Sequence, residues 1–421
     1  MSGLALVAHE RGAAVTGSDR AESSYVQRLR TAGLTPHIGH DADRVPPGAE
    51  VVVSTAIPKD NPELVVARER GQRILHRGDL LAELCEEGRL IAVAGTHGKT
   101  TTSGMLVHAL RALGVAPAFF IGGELPGAGP RGAPANAGWG AGGIVVAEAD
   151  ESDASFLRLR PEVAVITNVE LDHHSRWSSR AELMDAFARF AEPAAGLALV
   201  SDPELDALAL GSRARIERFD SVHPGPQRLA LRVPGEHNQL NARAALAAIE
   251  LAGLDSGAAA EALATFPGMV RRQELRGQVR GAAVYDDYAH HPTEVRATLA
   301  ALRELEPRRL LAVFQPHLYS RTKALAPEFG AALAAADEVG VLDVYAAREE
   351  PVGPLSGVSG LDVARATAER AGGKPVLWLR DRRTAARVLP ERLGAGDLLV
   401  TIGAGDIHEL AGELVAGEGA T

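Results

Sequence analysis

Residues 90–102 read Leu90-Ile91-Ala92-Val93-Ala94-Gly95-Thr96-His97-Gly98-Lys99-Thr100-Thr101-Thr102. An aliphatic run stops at a turn bounded by glycines, and a helical pattern follows from about residue 100 to 113. In such a strand, turn and helix, backbone N–H groups and the positive helix N-terminus cradle phosphate oxygens. Gly95, Thr96, His97, Gly98, Lys99, Thr100 and Thr101 are therefore the candidate nucleotide loop. Lys99 is placed to reach the β- and γ-phosphates, and the Thr100 hydroxyl to ligate Mg²⁺. The spacing has two fewer residues between its glycines than the GxxxxGKS/T pattern. The plainer alternative is a glycine-rich turn with a surface lysine. Against it stands the cation usage, 40 arginines and only four lysines: Lys59, Lys99, Lys323 and Lys374.

Outward from this loop, short aliphatic runs alternate with amphipathic helical patterns, a rhythm that predicts parallel sheets with crossover helices. Upstream, strands are expected at 13–17 and 50–54, with helices at 1–11, 24–32 and 62–71. Downstream, strands are expected at 144–149, 163–167 and 197–201, and a core-facing helix at 238–251. The Gly/Ala-rich stretch 122–143 reads as a surface loop. Pro267-Gly268 is a hinge candidate, after which strands are expected at 283–286, 310–314, 339–342, 376–378 and 398–402. The 421 residues thus divide into three α/β blocks, 1–90, 91–268 and 269–421.

A formal charge of -10 argues against a general grip on nucleic acid or anionic membrane, so any anion site must be local. The single cysteine, Cys85, rules out an internal disulfide and points to a reducing, cytoplasmic setting. No stretch reads as a membrane span, and the opening residues lack the basic and apolar regions of a signal peptide.

Further chemistry gathers at predicted strand ends, the edge of an open α/β sheet where ligands bind. Glu148-Ala149-Asp150-Glu151-Ser152-Asp153 packs four carboxylates into six residues, which calls for a compensating cation such as Mg²⁺ or marks a solvated acidic loop. The next strand ends in Thr167-Asn168-Val169-Glu170-Leu171-Asp172-His173-His174, where His173 is a metal-ligand candidate and Asn168 a substrate contact. The third block holds Asp286-Asp287-Tyr288-Ala289-His290-His291-Pro292-Thr293-Glu294, with Thr293 expected to cap the following helix. Gln315-Pro316-His317-Leu318-Tyr319-Ser320-Arg321-Thr322 repeats the placement, and an arginine at such an edge suits a carboxylate.

Together these runs resemble the Mur ligase family over essentially the whole chain. GTHGKTTT (95–102), EADESD (148–153), GEHNQLNA (235–242), DDYAHHPTE (286–294), QPHLYSRT (315–322) and GAGD (403–406) stand in the family's order. The resemblance implies an N-terminal Rossmann-like domain for a UDP-sugar, a central P-loop ATPase domain and a C-terminal Rossmann-like domain for an amino acid. It implies a reaction in which ATP and Mg²⁺ activate the lactyl carboxylate of UDP-N-acetylmuramate as an acyl phosphate that L-alanine then attacks. By motif, Thr100 and Glu148 would hold Mg²⁺ and His173 a second ion. Asn238 and Asn241 fall near adenine, Asp287 near ribose and Arg272 toward the transferred phosphate. His291 and Arg321 would orient the amino acid, and Ser18, Asp19, Ser54 and Thr55 are candidates for the uridine end. Several sibling branches use a carbamylated lysine past the metal histidine. No lysine lies between Lys99 and Lys323, which favours the alanine-adding branch or its tripeptide-recycling relative.

Two departures from the family stand out. Members begin with a strand and glycine turn ahead of a Met-Ser-Gly-Leu-Ala segment, whereas this chain starts at Met1-Ser2-Gly3-Leu4-Ala5, so the first Rossmann-like domain reads as incomplete. A start assigned too late is the preferred explanation over a deletion. The stretch 201–235 also reads as shorter than in the family. A sugar-nucleotide-binding protein without ligase activity and a plain P-loop ATPase are the alternatives of a different class. The second leaves the third-block His and Arg runs without a purpose.

Overall fold

The computed structural model describes residues 1–170, 177–210, 212–220 and 228–418. They form two compact units, one of residues 1–230 and 240–266, the other of 231–239 and 267–421.

The first unit opens with α1 (Ser2–Glu10), β1 (Ser18–Asp19), α2 (Ser24–Thr31), β2 (His37–Ile38), β3 (Val51–Val53), α3 (Pro62–Glu69), β4 (Ile74–His76) and α4 (Arg77–Cys85). Strand pairing here is short. Among the described residues β1 pairs only with β2, and β3 only with β4, both in parallel. The strand expected at 13–17 is displaced: ladder pairing starts at Ser18, because among the described residues no strand lies beside most of 13–17. β4 and α4 escaped the sequence reading, since Ile74-Leu75-His76 is too short to show a period. The α1 helix packs on the central part: a Cβ at Gly3 would lie 2.8 Å from the Ala137 Cβ, and Val7 is fully buried in the same core as Leu90, Phe120 and Phe156.

The central part continues through β5 (Arg89–Ala94), α5 (Lys99–Ala112), β6 (Ala118–Leu125), β7 (Ala135–Gly138), β8 (Ile144–Glu148), β9 (Val163–Ile166), α6 (Arg180–Ala191), β10 (Gly196–Val200), α7 (Asp206–Leu210), β11 (Arg215–Phe219), α8 (Glu236–Leu251) and α9 (Ser256–Leu263). Its sheet runs β11-β10-β9-β5-β8-β6-β7, parallel except for the β6–β7 pair. β5 is apolar from Leu90 to Ala94 because both faces are covered, the pattern of a parallel sheet's inner strand. Phe156 meets Phe187 and Phe190 with ring centroids 5.3 Å apart in each case, and Trp177 lies edge-on at 6.5 Å. Each such pair adds about 0.5–1.5 kcal/mol beyond its area.

The Gly/Ala-rich stretch 122–143 is not simply a loop. It contains the end of β6 and all of β7, paired antiparallel. Its glycines serve close packing: a Cβ at Gly138 would press on the Phe119 ring at 2.8 Å.

In the second unit, β12 (Glu274–Val279), β13 (Ala282–Asp287), α10 (Pro292–Arg303), β14 (Leu310–Phe314), α11 (Tyr319–Leu333), β15 (Glu338–Leu342), α12 (Gly360–Ala368), β16 (Val376–Arg380), α13 (Arg382–Val388), β17 (Leu398–Ile402) and α14 (His408–Glu418) follow in order. The sheet runs β12-β13-β17-β14-β15-β16 and is parallel but for β12, a strand that was not anticipated. Among the described residues no helix is long and apolar enough to cross a membrane.

Candidate functional site

Strand order explains why three separate motifs share one place. β5 lies between β9 and β8, so the loop after β5, the Asn168 segment after β9 and the acidic run after β8 leave the same sheet edge side by side.

The loop's shape depends on its glycines. Gly95 and Gly98 have φ of 133° and 84°, values an L-residue rarely adopts. A Cβ at Gly95 would meet Thr167 Oγ1 at 2.1 Å, and one at Gly98 would meet Asn241 Oδ1 at 2.4 Å. From the other side the end of β9 grips the loop. Asn168 Oδ1 accepts the His97 N–H and Asn168 Nδ2 donates to the His97 carbonyl, both at 2.9 Å. Thr167 Oγ1 donates to the same carbonyl at 2.6 Å, while Thr96 Oγ1 donates to the Glu170 carbonyl and accepts its N–H, each at 2.9 Å. Asn168, expected to contact substrate, thus commits its amide to the loop.

Helix α5 begins at Lys99. Its ammonium lies 2.9 Å from a Glu151 oxygen and donates to the Thr96 carbonyl at 3.1 Å. Burial works against the charge, but Glu151 and Glu148 outweigh it and hold the pKa above the usual lysine value. Thr100 Oγ1 donates to the Glu148 carboxylate, whose Oε2 also accepts the Gly122 N–H at 2.6 Å. Thr101 stands beside them in the first turn of α5.

The acidic run, expected to hold a cation such as Mg²⁺ or to form a solvated loop, is divided among partners. Arg77, the first residue of α4, donates to Asp150 at 3.1 Å and Asp153 at 2.9 Å. For both carboxyls burial pushes the pKa up. Ser152 together with Lys99 in one case, and Ser155 together with Arg77 in the other, bring it below the ordinary value. Glu151 faces Lys99, so the oxygen donors left for a cation are Glu148 and the Thr100 hydroxyl. They suit a hard ion such as Mg²⁺. His173 lies outside the described residues, as does part of the stretch 201–235. Asn241 accepts the Thr102 hydroxyl at 3.3 Å and so borders the phosphate loop.

For the uridine end, Ser18 Oγ donates to Glu63 Oε2 at 2.6 Å and lies 2.8 Å from His40 Nδ1; Asp19 follows it on β1. Ser54 and Thr55 follow β3, and Ser54 Oγ accepts the Ala56 N–H at 3.3 Å. Among the described residues no ladder links the two strand pairs that carry them.

In the second unit β17 separates β13 from β14, which brings GAGD, DDYAHHPTE and QPHLYSRT onto adjacent strand ends. Asp287 is buried, and its oxygens accept the N–H groups of Gln273 and Ala289 at 2.8 Å each. Burial pushes its pKa up to about 6, against the pull of Arg272 and those two N–H groups. Asp286, fully buried, accepts Thr401 Oγ1 at 2.6 Å and Arg271 Nε at 3.0 Å. Arg272 extends over the Tyr288 ring, 5.2 Å from its centroid.

Thr293 does not cap α10. His291 does, its ring accepting the Thr293 N–H, while Glu294 accepts the His291 N–H to complete a capping box. Pro292 suits the first helical position, since it has no N–H of its own to be capped. Arg321 is on the first turn of α11, and its charge helps to hold the pKa values of His290 and His317 down, secondary to burial. His317, unassigned from sequence, stacks on Tyr345 with centroids 5.8 Å apart. Asn238 is buried and donates to the Pro234 carbonyl at 2.7 Å and to Gln273 Oε1 at 3.1 Å.

Comparison with known proteins agrees with this arrangement. Residues 1–89 match the model described as Mur ligase family, catalytic domain; 93–205 match the Mur ligase middle domain; and 271–405 match Mur ligase, glutamate ligase domain. The UDP-N-acetylmuramate–L-alanine ligase of Renibacterium salmoninarum is 45% identical over 440 residues, covering 97% of this chain and 91% of that one. The enzyme of the same name from Rubrobacter xylanophilus is 44% identical over 441 residues, covering 99% and 97%. The crystal structure of the UDP-N-acetylmuramate–alanine ligase MurC from Thermotoga maritima superposes with a TM-score of 0.83 at 27% identity, covering 100% of this chain and 96% of that one. A murein peptide ligase from Psychrobacter arcticus gives a TM-score of 0.69 at 25% identity, covering 100% and 97%. With family models matched in chain order and relatives this similar over nearly its full length, the chain belongs to the Mur ligase family.

Proposed function

We propose that this protein joins L-alanine to the lactyl carboxylate of UDP-N-acetylmuramate, with ATP converted to ADP and phosphate. The observation that carries the reading is the group formed by Lys99, Thr100 and Glu148 at the head of α5, on adjacent strand ends. The relatives of over 40% identity that bear this activity in their names support the choice of substrates.

Carboxylates are poor acylating agents, so the lactyl oxygen first takes the γ-phosphoryl group and ADP leaves. The alanine nitrogen then attacks the acyl carbon, the C–O bond to phosphate breaks, and the amine gives up its proton. The N–H groups of the 95–101 loop and the Lys99 ammonium hold the phosphates. Thr100 and Glu148 would hold Mg²⁺, which when bound supplies positive charge to the phosphate oxygens. Thr167 and Asn168 keep the loop's N–H groups aimed, so that little reorganisation is needed as charge develops.

In the second unit, Asn238 and Asp287 are assigned to the nucleoside and Arg272 to the transferred phosphoryl group. Arg321 and His291 are assigned to the amino acid. Asn241 is assigned to the adenine side, and the first ninety residues with Ser18, Asp19, Ser54 and Thr55 to the UDP-sugar. A cytoplasmic setting is part of the same reading, and the free, buried Cys85 thiol supports it.

The test is phosphate release from ATP and Mg²⁺ with UDP-N-acetylmuramate and a panel of amino acids, plus the tripeptide as a separate arm. Release is expected only when sugar nucleotide and alanine are both present. Release independent of the sugar nucleotide would sink the ligase reading, and preference for the tripeptide would move it to the recycling branch.

A further inference from the structure

Gln273 holds none of the roles given so far, yet it is 8% exposed and its backbone is left-handed, with φ 50°. Arg271 is left-handed as well, with φ 60°, so Arg272 sits between two strained residues. Glycine would relieve that conformation, and strain kept at a buried polar residue points to what its side chain does.

Its hydrogen bonds reach three places within the second unit. The backbone N–H donates to Asp287 Oδ2 at 2.8 Å, Oε1 accepts Asn238 Nδ2 at 3.1 Å, and Nε2 is 3.2 Å from His237 Nε2. The orientation of these amides follows from the network. Asn238 Nδ2 also donates to the Pro234 carbonyl, so Gln273 must present its oxygen to Asn238 and its nitrogen to His237. His237 can accept there because burial pushes its pKa down to about 4 and leaves the ring neutral, with the proton on Nδ1.

We propose that Gln273 is a positioning residue for the nucleotide: it ties Asn238 to Asp287 and sets the strained turn that aims Arg272. The proposal rests on the nucleotide roles assigned above to Asn238 and Asp287. The three residues meant for adenine, ribose and phosphoryl group are thereby prearranged as one body, and ATP does not have to order them separately.

The test compares kcat and the KM values for ATP and alanine in the full chain carrying Gln273→Gly, Gln273→Met, Asn238→Ala, and Asn238→Ala with Gln273→Gly. Gln273→Gly removes the side chain while relieving the backbone, so a purely architectural role predicts a sound protein with an unchanged KM for ATP. The positioning role predicts a KM for ATP raised about five- to tenfold in both Gln273 variants, the loss expected for one or two hydrogen bonds. It also predicts an unchanged KM for alanine, and a double variant no worse than the weaker single. If Asn238→Ala raises the KM for ATP while both Gln273 variants leave it alone, or if the effects add in full, the positioning role is overturned and the nucleotide reading stands. An unchanged KM in Asn238→Ala overturns the nucleotide reading and the proposal with it. Should Gln273→Gly fail to fold, Gln273→Met decides.

Discussion

Thr100 Oγ1 donates to both oxygens of the Glu148 carboxylate, at 2.9 and 3.1 Å, although one residue lies in the first turn of α5 and the other ends β8. A cation entering this site would take up the same oxygens. Glu148→Gln keeps the shape and removes the charge, and it is expected to lower phosphate release about a hundredfold or more, in the range seen for groups that stabilise a developing charge. A Mg²⁺ titration of wild type and variant checks it; near-normal turnover at ordinary Mg²⁺ would remove Glu148 from the metal site.

Gly95→Ala is expected to abolish nucleotide binding while the rest of the fold persists. The added Cβ would sit 2.1 Å from Thr167 Oγ1, on a backbone with φ 133°. The control is Gly143→Ala, with φ 69° but nothing within 4 Å. It should cost about 1 kcal/mol of stability for the left-handed backbone and leave turnover intact. Calorimetric titration with ATP, beside urea unfolding of each variant, separates the two. Equal ATP affinity in both variants contradicts the role given to the loop.

Arg77→Ala leaves Asp150 and Asp153 without the guanidinium that holds them. Because Asp150 and Arg77 retain 39% and 30% side-chain exposure, water screens the loss, and about 1 kcal/mol of destabilisation is expected. The larger effect should be on rate, since the acidic run then competes for Lys99. Urea midpoints and kcat measured together test this, and a fall in stability with kcat untouched would reduce Arg77 to scaffolding.

Acidification should weaken the second unit through His237. Its folded pKa of about 4 lies below the reference value of 6.5, so between these values the unfolded chain binds the extra proton and stability falls as pH drops. Asp287 acts in the opposite sense, because its folded pKa of about 6 lies above the reference 3.8. His237→Gln removes the first effect and keeps the second. Between pH 7 and pH 5 the variant should lose about 2 kcal/mol less stability than wild type. Parallel urea curves at the two pH values decide, and identical pH slopes would mean that the ring is already solvated.

Much of the site was legible because phosphate chemistry leaves a local signature. Gly95, Gly98, Lys99 and Thr100 are close in sequence, and a strand running into a helix announces where they sit. The partners were harder to see, since partnership is a long-range matter. Nothing in Arg77 predicts that it meets Asp150 and Asp153, seventy-odd positions away, and nothing in Asn168 predicts that its amide bonds the backbone of His97. His291 shows a different limit. Thr293 has the better capping propensity, but the helix starts at Pro292, which puts the cap two positions earlier. The β6–β7 pair was missed because glycine, which ordinarily marks a turn, there makes room for the Phe119 ring.

The ladders of the first unit differ greatly in depth. β5 is hydrogen-bonded along both edges, whereas β1–β2 is paired over two residues and β3–β4 over three. Detaching β5, the strand that leads into the phosphate loop, means breaking two inner ladders, while the short pairs before it are held over two or three residues each. Amide hydrogen exchange should therefore divide this unit into a slow tier around β5 and a fast tier before it. A ligand bound to the fast tier would spend part of its affinity on ordering that tier, so its measured binding would weaken with temperature more steeply than that of ATP.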